Sequence, residues 1–176
     1  MDTSDLANRM KEYEKRNQYY LQKRTPVAIR VDGRNFHTFT KGFQRPFDKI
    51  LMTAMQETAK YMCENIQGAK FAYIQSDEIT IILVDYDTLE TDCWFNYRTD
   101  KLCSISASMA TMAFNKFFTK NVNYFEMTHE HDDTINEYCT TLINAAEKGA
   151  TFDARCFNIP KEEVCNLVYW RQLDAI

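Results

Sequence analysis

Glycine and proline are scarce, four and three in 176 residues. So few turn-forming residues argue against a turn-rich all-β sandwich. No stretch approaches the roughly 18 apolar residues of a membrane-spanning helix, which excludes a membrane role by this route. The opening MDTSDLANRMKEYEKRNQYY is polar and mixes acidic with basic side chains, unlike a secretory signal. No two of the six cysteines, at 63, 93, 103, 139, 156 and 165, have the C-x-x-C spacing of a structural zinc site or a redox pair. They read as reduced thiols, several of them filling the core, in a cytoplasmic protein. Positive charge is not in excess either. The formal net charge of −4 gives no whole-protein attraction to nucleic acid, so any such contact must use local basic patches.

What is present is an ordinary globular composition, 45% hydrophobic and 26% charged, with enough length for one domain and a real core. Residues 5–20 read as a helix capped by Asp5, with Leu6, Met10 and Tyr13 near helical spacing. VAIRV at 27–31 reads as a strand that stops at DGRNF. Residues 48–66 give the clearest helix, capped by Asp48 and closed by Gly68. Two strands, 70–75 and 79–85, meet at Ser76-Asp77-Glu78. A long helix is expected over 94–118, with Phe95, Leu102, Ile105, Met109, Met112, Ala113 and Phe117 facing the core. A loose linker at about 119–131, a helix at 132–148, a strand at 152–159 and a helix starting at Pro160 complete the chain.

The order strand, helix, strand, strand, helix, strand is the split βαββαβ arrangement. It implies an α+β fold, an antiparallel sheet with helices on one face plus extra helices. The expected division is an N-terminal helix (1–25), a catalytic domain (26–160) with an insertion near 119–150, and the start of a C-terminal helical segment (161–176). A right-handed first crossover makes strands one and two parallel, with strand three returning between them. The end of the first strand and the hairpin turn then share one edge of the sheet, so Asp32 should meet Asp77 and Glu78.

Carboxylates gathered at one edge repel each other unless a cation lies between them. Oxygen-only ligands suit Mg²⁺ or Mn²⁺ rather than zinc, and two such ions can clamp an in-line phosphoryl displacement. The turn DGRNFH adds backbone N–H donors beside Asp32, and Gly33 permits close approach to phosphate. This is the layout of a polymerase-type palm. The plain alternative is ordinary turn chemistry, since Asp-Gly and Ser-Asp-Glu are common at strand ends.

Taken together, RVDGRNFHTF, YIQSDEITIIL, ASMATMAFNKFF, FDARCFNIP and YWRQLDAI resemble the tRNA-histidine guanylyltransferases, and most of all their guanylyltransferase-like branch. The resemblance implies a palm enzyme that extends RNA in the 3′-to-5′ direction, adding guanylate to tRNA-histidine or repairing truncated tRNA 5′ ends against a template. By this resemblance Asp32, Asp77 and the Gly33 carbonyl would hold two Mg²⁺ ions, and Glu78 is the acidic residue beside them. Ser76 matches the family's serine before the metal ligand. The backbone of Arg34, Asn35, Phe36 and His37 would cradle the triphosphate of GTP, ATP or another NTP. Arg45 falls near the family's triphosphate-binding lysine, with Lys41 close by; arginine keeps the charge and can grip phosphate bidentately. A homotetramer is also implied. The family continues past WRQLDAI with a His-Ile-Asn-Asn motif in its histidine-tRNA members, so the resemblance implies that the chain ends short of that segment.

Two competing functions use the same residues. A nucleotidyl cyclase-like palm enzyme would act on free NTPs, and a non-catalytic module would only bind tRNA or nucleotide. EKRNQYYLQKR, 14–24, suits either RNA contact or a solvated helix end. His37 suits a nucleotide contact or a structural role equally, the HEH at 129–131 is a weak metal candidate that reads better as a solvated loop, and Trp170 reads as a core residue.

Overall fold

A computed structural model describes residues 4–129 and 136–173. Ten elements follow in order: α1 (Asp5–Lys15), β1 (Val27–Gly33), α2 (Phe36–Phe39), α3 (Lys49–Asn65), β2 (Ala69–Gln75), β3 (Glu78–Leu83), α4 (Thr99–Thr128), α5 (Asn136–Lys148), β4 (Phe152–Asn158) and α6 (Val164–Leu173). The strands form one sheet in the order β2-β3-β1-β4, every neighbouring pair antiparallel. β1 and β2 are therefore parallel with β3 between them, as the split βαββαβ order requires.

Period-two alternation decides which side chains meet which layer. Val27, Ile29 and Val31 of β1 and Ile79, Ile81 and Leu83 of β3 join the main core with residues of α3 and α4. The alternate residues Ala28 and Ile82 pack instead with Ile159 and Leu167, beneath α6. Helix α6 thus covers the sheet face opposite α3 and α4. Covered on both sides, β3 is buried at all six positions, so EITIIL is apolar on both faces beyond Thr80, and its two polar residues, Glu78 and Thr80, are themselves buried.

Four expectations shift. Helix α1 stops at Lys15, and its cap is Ser4, whose hydroxyl accepts from the Ala7 N–H, not Asp5. Beyond it, Tyr20 bridges to Arg98 and is drawn into extended pairing. Residues 94–97 form a separate turn with Phe95, Asn96 and Tyr97 at positive φ, so α4 begins at Thr99 and Phe95 is exposed. Residues 119–128, expected as linker, continue α4, because Val122 and Phe125 extend the apolar stripe of Phe118 onto the core. The buried face of α4 runs through Phe114 and Phe118 rather than Met112, which is exposed. The expected helix over 132–135 lies outside the described residues.

Asp48 caps α3, accepting from Leu51 N–H at 3.0 Å. It also accepts from Gln44 N–H at 3.1 Å and from the Tyr138 hydroxyl of α5 at 2.6 Å, so one buried carboxylate ties three segments. Burial and this bond push the Tyr138 phenol up from its ordinary range. Asp48→Ala loses the cap and orphans two donors, at a cost of about 2–4 kcal/mol. Thermal unfolding should show Tm lower by roughly 5–10 °C; a shift within about 2 °C would contradict this account.

Candidate active site

The site grows from the end of β1. Asp32 lies opposite Glu78 of β3 and opposite Asp153 of β4. The hairpin loop between β2 and β3 is only Ser76-Asp77, with Ser76 at φ +51, and Gly33 N–H donates to the Asp77 carbonyl at 3.1 Å. That bond pins the hairpin tip beside the strand end, so residues 32 and 77 share one edge, as the topology demands. Asp153 was not among the candidates from sequence. Its signal was the alternation of Phe152 and Ala154, which face the core, with Asp153 and Arg155.

After Gly33 the chain turns outward. Asn35 takes φ +56 and leads into the four-residue α2. Phe36 and Phe39 point inward and join Phe114, Phe118 and Phe152, with ring centroids 5.0–5.8 Å apart. With both phenylalanines anchored below, the backbone of the turn and the side chains of Asn35, His37 and Thr38 are left at the surface. Phe36 contributes to any ligand site here through its backbone, its ring being core.

Against this turn lies a cleft of ≈ 440 Å³ lined by Gly33, Asn35, His37, Thr40, Ser76 and Asp77. A second lobe of ≈ 550 Å³ shares Thr40, Leu51 and Ser76 with it and brings Arg45 to its wall. Each lobe falls in the size range of small-molecule sites. Of the candidates from sequence, Gly33, Asn35, Phe36, His37, Ser76 and Asp77 meet at the first lobe and Arg45 at the second. Arg34 lines a different cavity of ≈ 220 Å³ with Lys148 and Thr151, and Lys41 is exposed beside α2.

The electrostatics explain what such an edge lacks. Burial, and then the charges of Asp77, Glu78 and Asp153, raise the proton affinity of Asp32, while Arg155 acts in the opposite direction. Arg155 stands 4.0 Å from Asp32 and 3.5 Å from Asp153. Glu78 is differently placed: it is buried, with Arg171 Nε at 2.8 Å and Arg30 Nε at 3.5 Å. Among the described residues no three His, Cys, Asp or Glu side chains converge tightly enough to hold a metal ion by themselves. A cation at Asp32 and Asp77 would therefore complete its shell with backbone, water or phosphate oxygen, the donor mix that Mg²⁺ favours.

A titration consequence follows for the apo chain. Because folding raises the Asp32 pKa, the folded chain holds this proton more tightly than the unfolded one, and stability falls as pH rises through that interval. At pH 7 and without divalent cation, Asp32→Asn should make the fold more stable than wild type. Urea melts would check this, with the advantage shrinking as pH drops. A less stable Asn variant at pH 7 would refute it.

The sequence pattern that defines tRNA-histidine guanylyltransferases matches residues 7–160. The chain belongs to the tRNA-histidine guanylyltransferase family. The tRNA(His) guanylyltransferase of Schizosaccharomyces pombe is 31% identical over 169 residues, covering 94% of this chain and 54% of that protein. A solved bacterial tRNA(His) guanylyltransferase-like protein in complex with GTP is 41% identical, with a TM-score of 0.79 over 98% of this chain and 71% of that one. A second such structure, in complex with ATP, is 40% identical, with a TM-score of 0.78 over 97% of this chain and 65% of that one. This family member spans about half the length of the curated relatives it matches. The palm-like fold of the family is the fold described above. Among the described residues no helix is long and apolar enough to cross a membrane.

Proposed function

We propose that this chain is a Mg²⁺-dependent nucleotidyltransferase that extends the 5′ end of tRNA in the 3′-to-5′ direction, by templated repair or by guanylate addition. One observation carries the reading: Asp77 lines a cleft together with Gly33, Asn35, His37 and Ser76, and Asp32, whose proton affinity Asp77 raises, immediately precedes the Gly33 that bonds the Asp77 carbonyl. Asp32, Asp77 and the Gly33 carbonyl would hold Mg²⁺, or Mn²⁺ in its place. When bound, the metal supplies Lewis-acid stabilisation of the transferring phosphoryl group and acidifies the attacking hydroxyl. The backbone of Arg34 to His37 binds the triphosphate, with Ser76 at one wall. Arg45, at the wall of the second lobe, adds positive charge for the same phosphates. Glu78 contributes charge beside Asp32, its own carboxylate held by arginine.

In the reaction proposed, the 3′-oxygen of an incoming NTP attacks the α-phosphorus of a 5′-triphosphorylated RNA, and pyrophosphate leaves. A 5′-monophosphate would first be adenylylated. The complexes of bacterial relatives with GTP and ATP support nucleotide as the ligand class. The homotetramer expected from the resemblance and the cytoplasmic setting expected from the cysteines belong to the same proposal. The test supplies a 5′-truncated, 5′-triphosphorylated tRNA, Mg²⁺ and labelled NTPs, and reads label at the RNA 5′ end. Incorporation that is abolished by chelation supports the reading. Turnover of free NTP to a cyclic product without RNA would replace it with a cyclase, and nucleotide binding with no turnover at all would replace it with a binding module.

A further inference from the structure

Glu78 lies on the sheet face that α6 covers, and it is only 6% exposed. It follows Asp77 in sequence and faces Asp32 across β1 and β3. Left unpaired, a third carboxylate at this edge would compete with its neighbours for the same space and the same cations. Two guanidiniums hold it instead: Arg171 Nε lies 2.8 Å from Oε1, and Arg30 Nε lies 3.5 Å from Oε2. Trp170, expected as core, is half-exposed and forms a platform for both, with the Arg171 and Arg30 guanidinium carbons 4.7 and 5.8 Å from its ring centre. Arg171 donates its Nε–H to Glu78 while its guanidinium lies over the indole, and Arg30 adds an ion pair without a hydrogen bond; lysine would keep the charge but not the planar group.

This cluster is also how α6 is fastened. Only Leu167 of the helix is buried, so its far end is held by the Arg171–Glu78 pair. The next residue, Gln172, lines a cavity of ≈ 530 Å³ that reaches Ser76.

We propose that Arg171 is a positioning residue that acts through Glu78. By gripping Glu78 from α6 it fixes the Asp77-Glu78 turn and keeps the third carboxylate engaged in an ion pair, leaving Asp32 and Asp77 to act as the metal-binding pair. This rests on the nucleotidyl-transfer reading of the site. Glu78, Arg30, Trp170 and Arg171, the groups of the latch, are all on this chain.

The experiment compares wild type with Arg171→Gln, Glu78→Gln, the double variant and Arg171→Lys. Arg171→Gln should lower kcat by about 10- to 100-fold with the KM for NTP changed less than about 3-fold, and the double variant should be no worse than the worse single one. Arg171→Lys should recover part of the rate. Losses that multiply in the double variant, or an unchanged Arg171→Gln, would overturn the proposal. A second readout needs no turnover. In nitrogen-15 NMR the Arg171 Nε–H should be a slowly exchanging, hydrogen-bonded resonance that disappears in Glu78→Ala, which removes the acceptor. If Arg171→Gln does not fold, this resonance and the lysine variant decide, and a resonance indifferent to Glu78 sinks the latch. Absence of transfer by wild type would instead overturn the functional reading, with the resonance still testing the latch on its own.

Discussion

Asp77→Ala is expected to cut nucleotide incorporation at the tRNA 5′ end by about 10³-fold or more, with the fold intact. The scale comes from the charge that must be stabilised. A divalent cation contributes several kcal/mol to a phosphoryl-transfer transition state, and losing one of two carboxylate anchors forfeits most of it. The fold should survive because the structural part of this residue is its backbone. The Asp77 carbonyl accepts the Gly33 N–H, and alanine supplies the same carbonyl. Removing the carboxylate also removes one of the charges that raise the Asp32 pKa, so the apo variant should be no less stable than wild type. Two measurements serve, single-turnover incorporation and a thermal melt. A variant that keeps a tenth of wild-type rate would show that the metal edge lies elsewhere. A variant that unfolds would show that the carboxylate is structural, and the turn reading of Ser-Asp-Glu would be restored.

That juxtaposition was legible in the sequence because topology forces it. Once 27–31 and the two runs flanking Ser76 are strands around a helix, a right-handed crossover leaves few ways to separate Asp32 from Asp77. The helix over 48–66 was legible for a similar reason, a long apolar face with a cap at Asp48 and a stop at Gly68. What was hidden depended on partners distant in the chain. The reach of α4 past residue 118 rests on Val122 and Phe125 finding the core, while the intervening Asn121, Asn123 and Tyr124 look like loop. The apolar face of α4 was mis-phased because Met112, Phe114, Phe117 and Phe118 crowd nearly every direction of the helix. Arg30 goes unremarked inside the strand VAIRV, and Trp170 reads as core. Only the folding of α6 onto the second sheet face shows that both belong with Glu78 and Arg171. Asp77 and the Gly33 turn came from topology and Ser76 and Arg45 from the resemblance, and the structure separates the turn's residues: Gly33, Asn35, Phe36 and His37 line the cleft with Ser76, while Arg34 faces a different cavity.

Gly33→Ala should be the most disruptive single-methyl change in the chain, and it should damage the fold and the site together. A Cβ built at Gly33 would lie 2.2 Å from Phe36 Cδ2 and 2.4 Å from Cε2. The usual escape, swinging the neighbour aside, is closed. Phe36 is 5% exposed and wedged among Phe39, Phe114 and Phe152. Relief must then come from the backbone of residues 32–36, which carries the Gly33–Asp77 bond and the Arg34 N–H to Thr151 carbonyl bond at 2.8 Å. Overpacking of this kind costs about 1–3 kcal/mol, and losing a hydrogen bond here adds about 1 kcal/mol. The same displacement carries the Asp32 carboxylate and the Gly33 carbonyl away from Asp77, so activity should fall by about 10²-fold or more even in the folded fraction. Shrinking the obstacle separates the two effects. Gly33→Ala combined with Phe36→Ala makes room for the methyl group and should regain activity relative to Gly33→Ala, although Phe36→Ala alone loses core packing. If the double variant is merely the sum of both defects, the glycine is needed for the conformation of the turn itself and not for clearance over the phenylalanine ring.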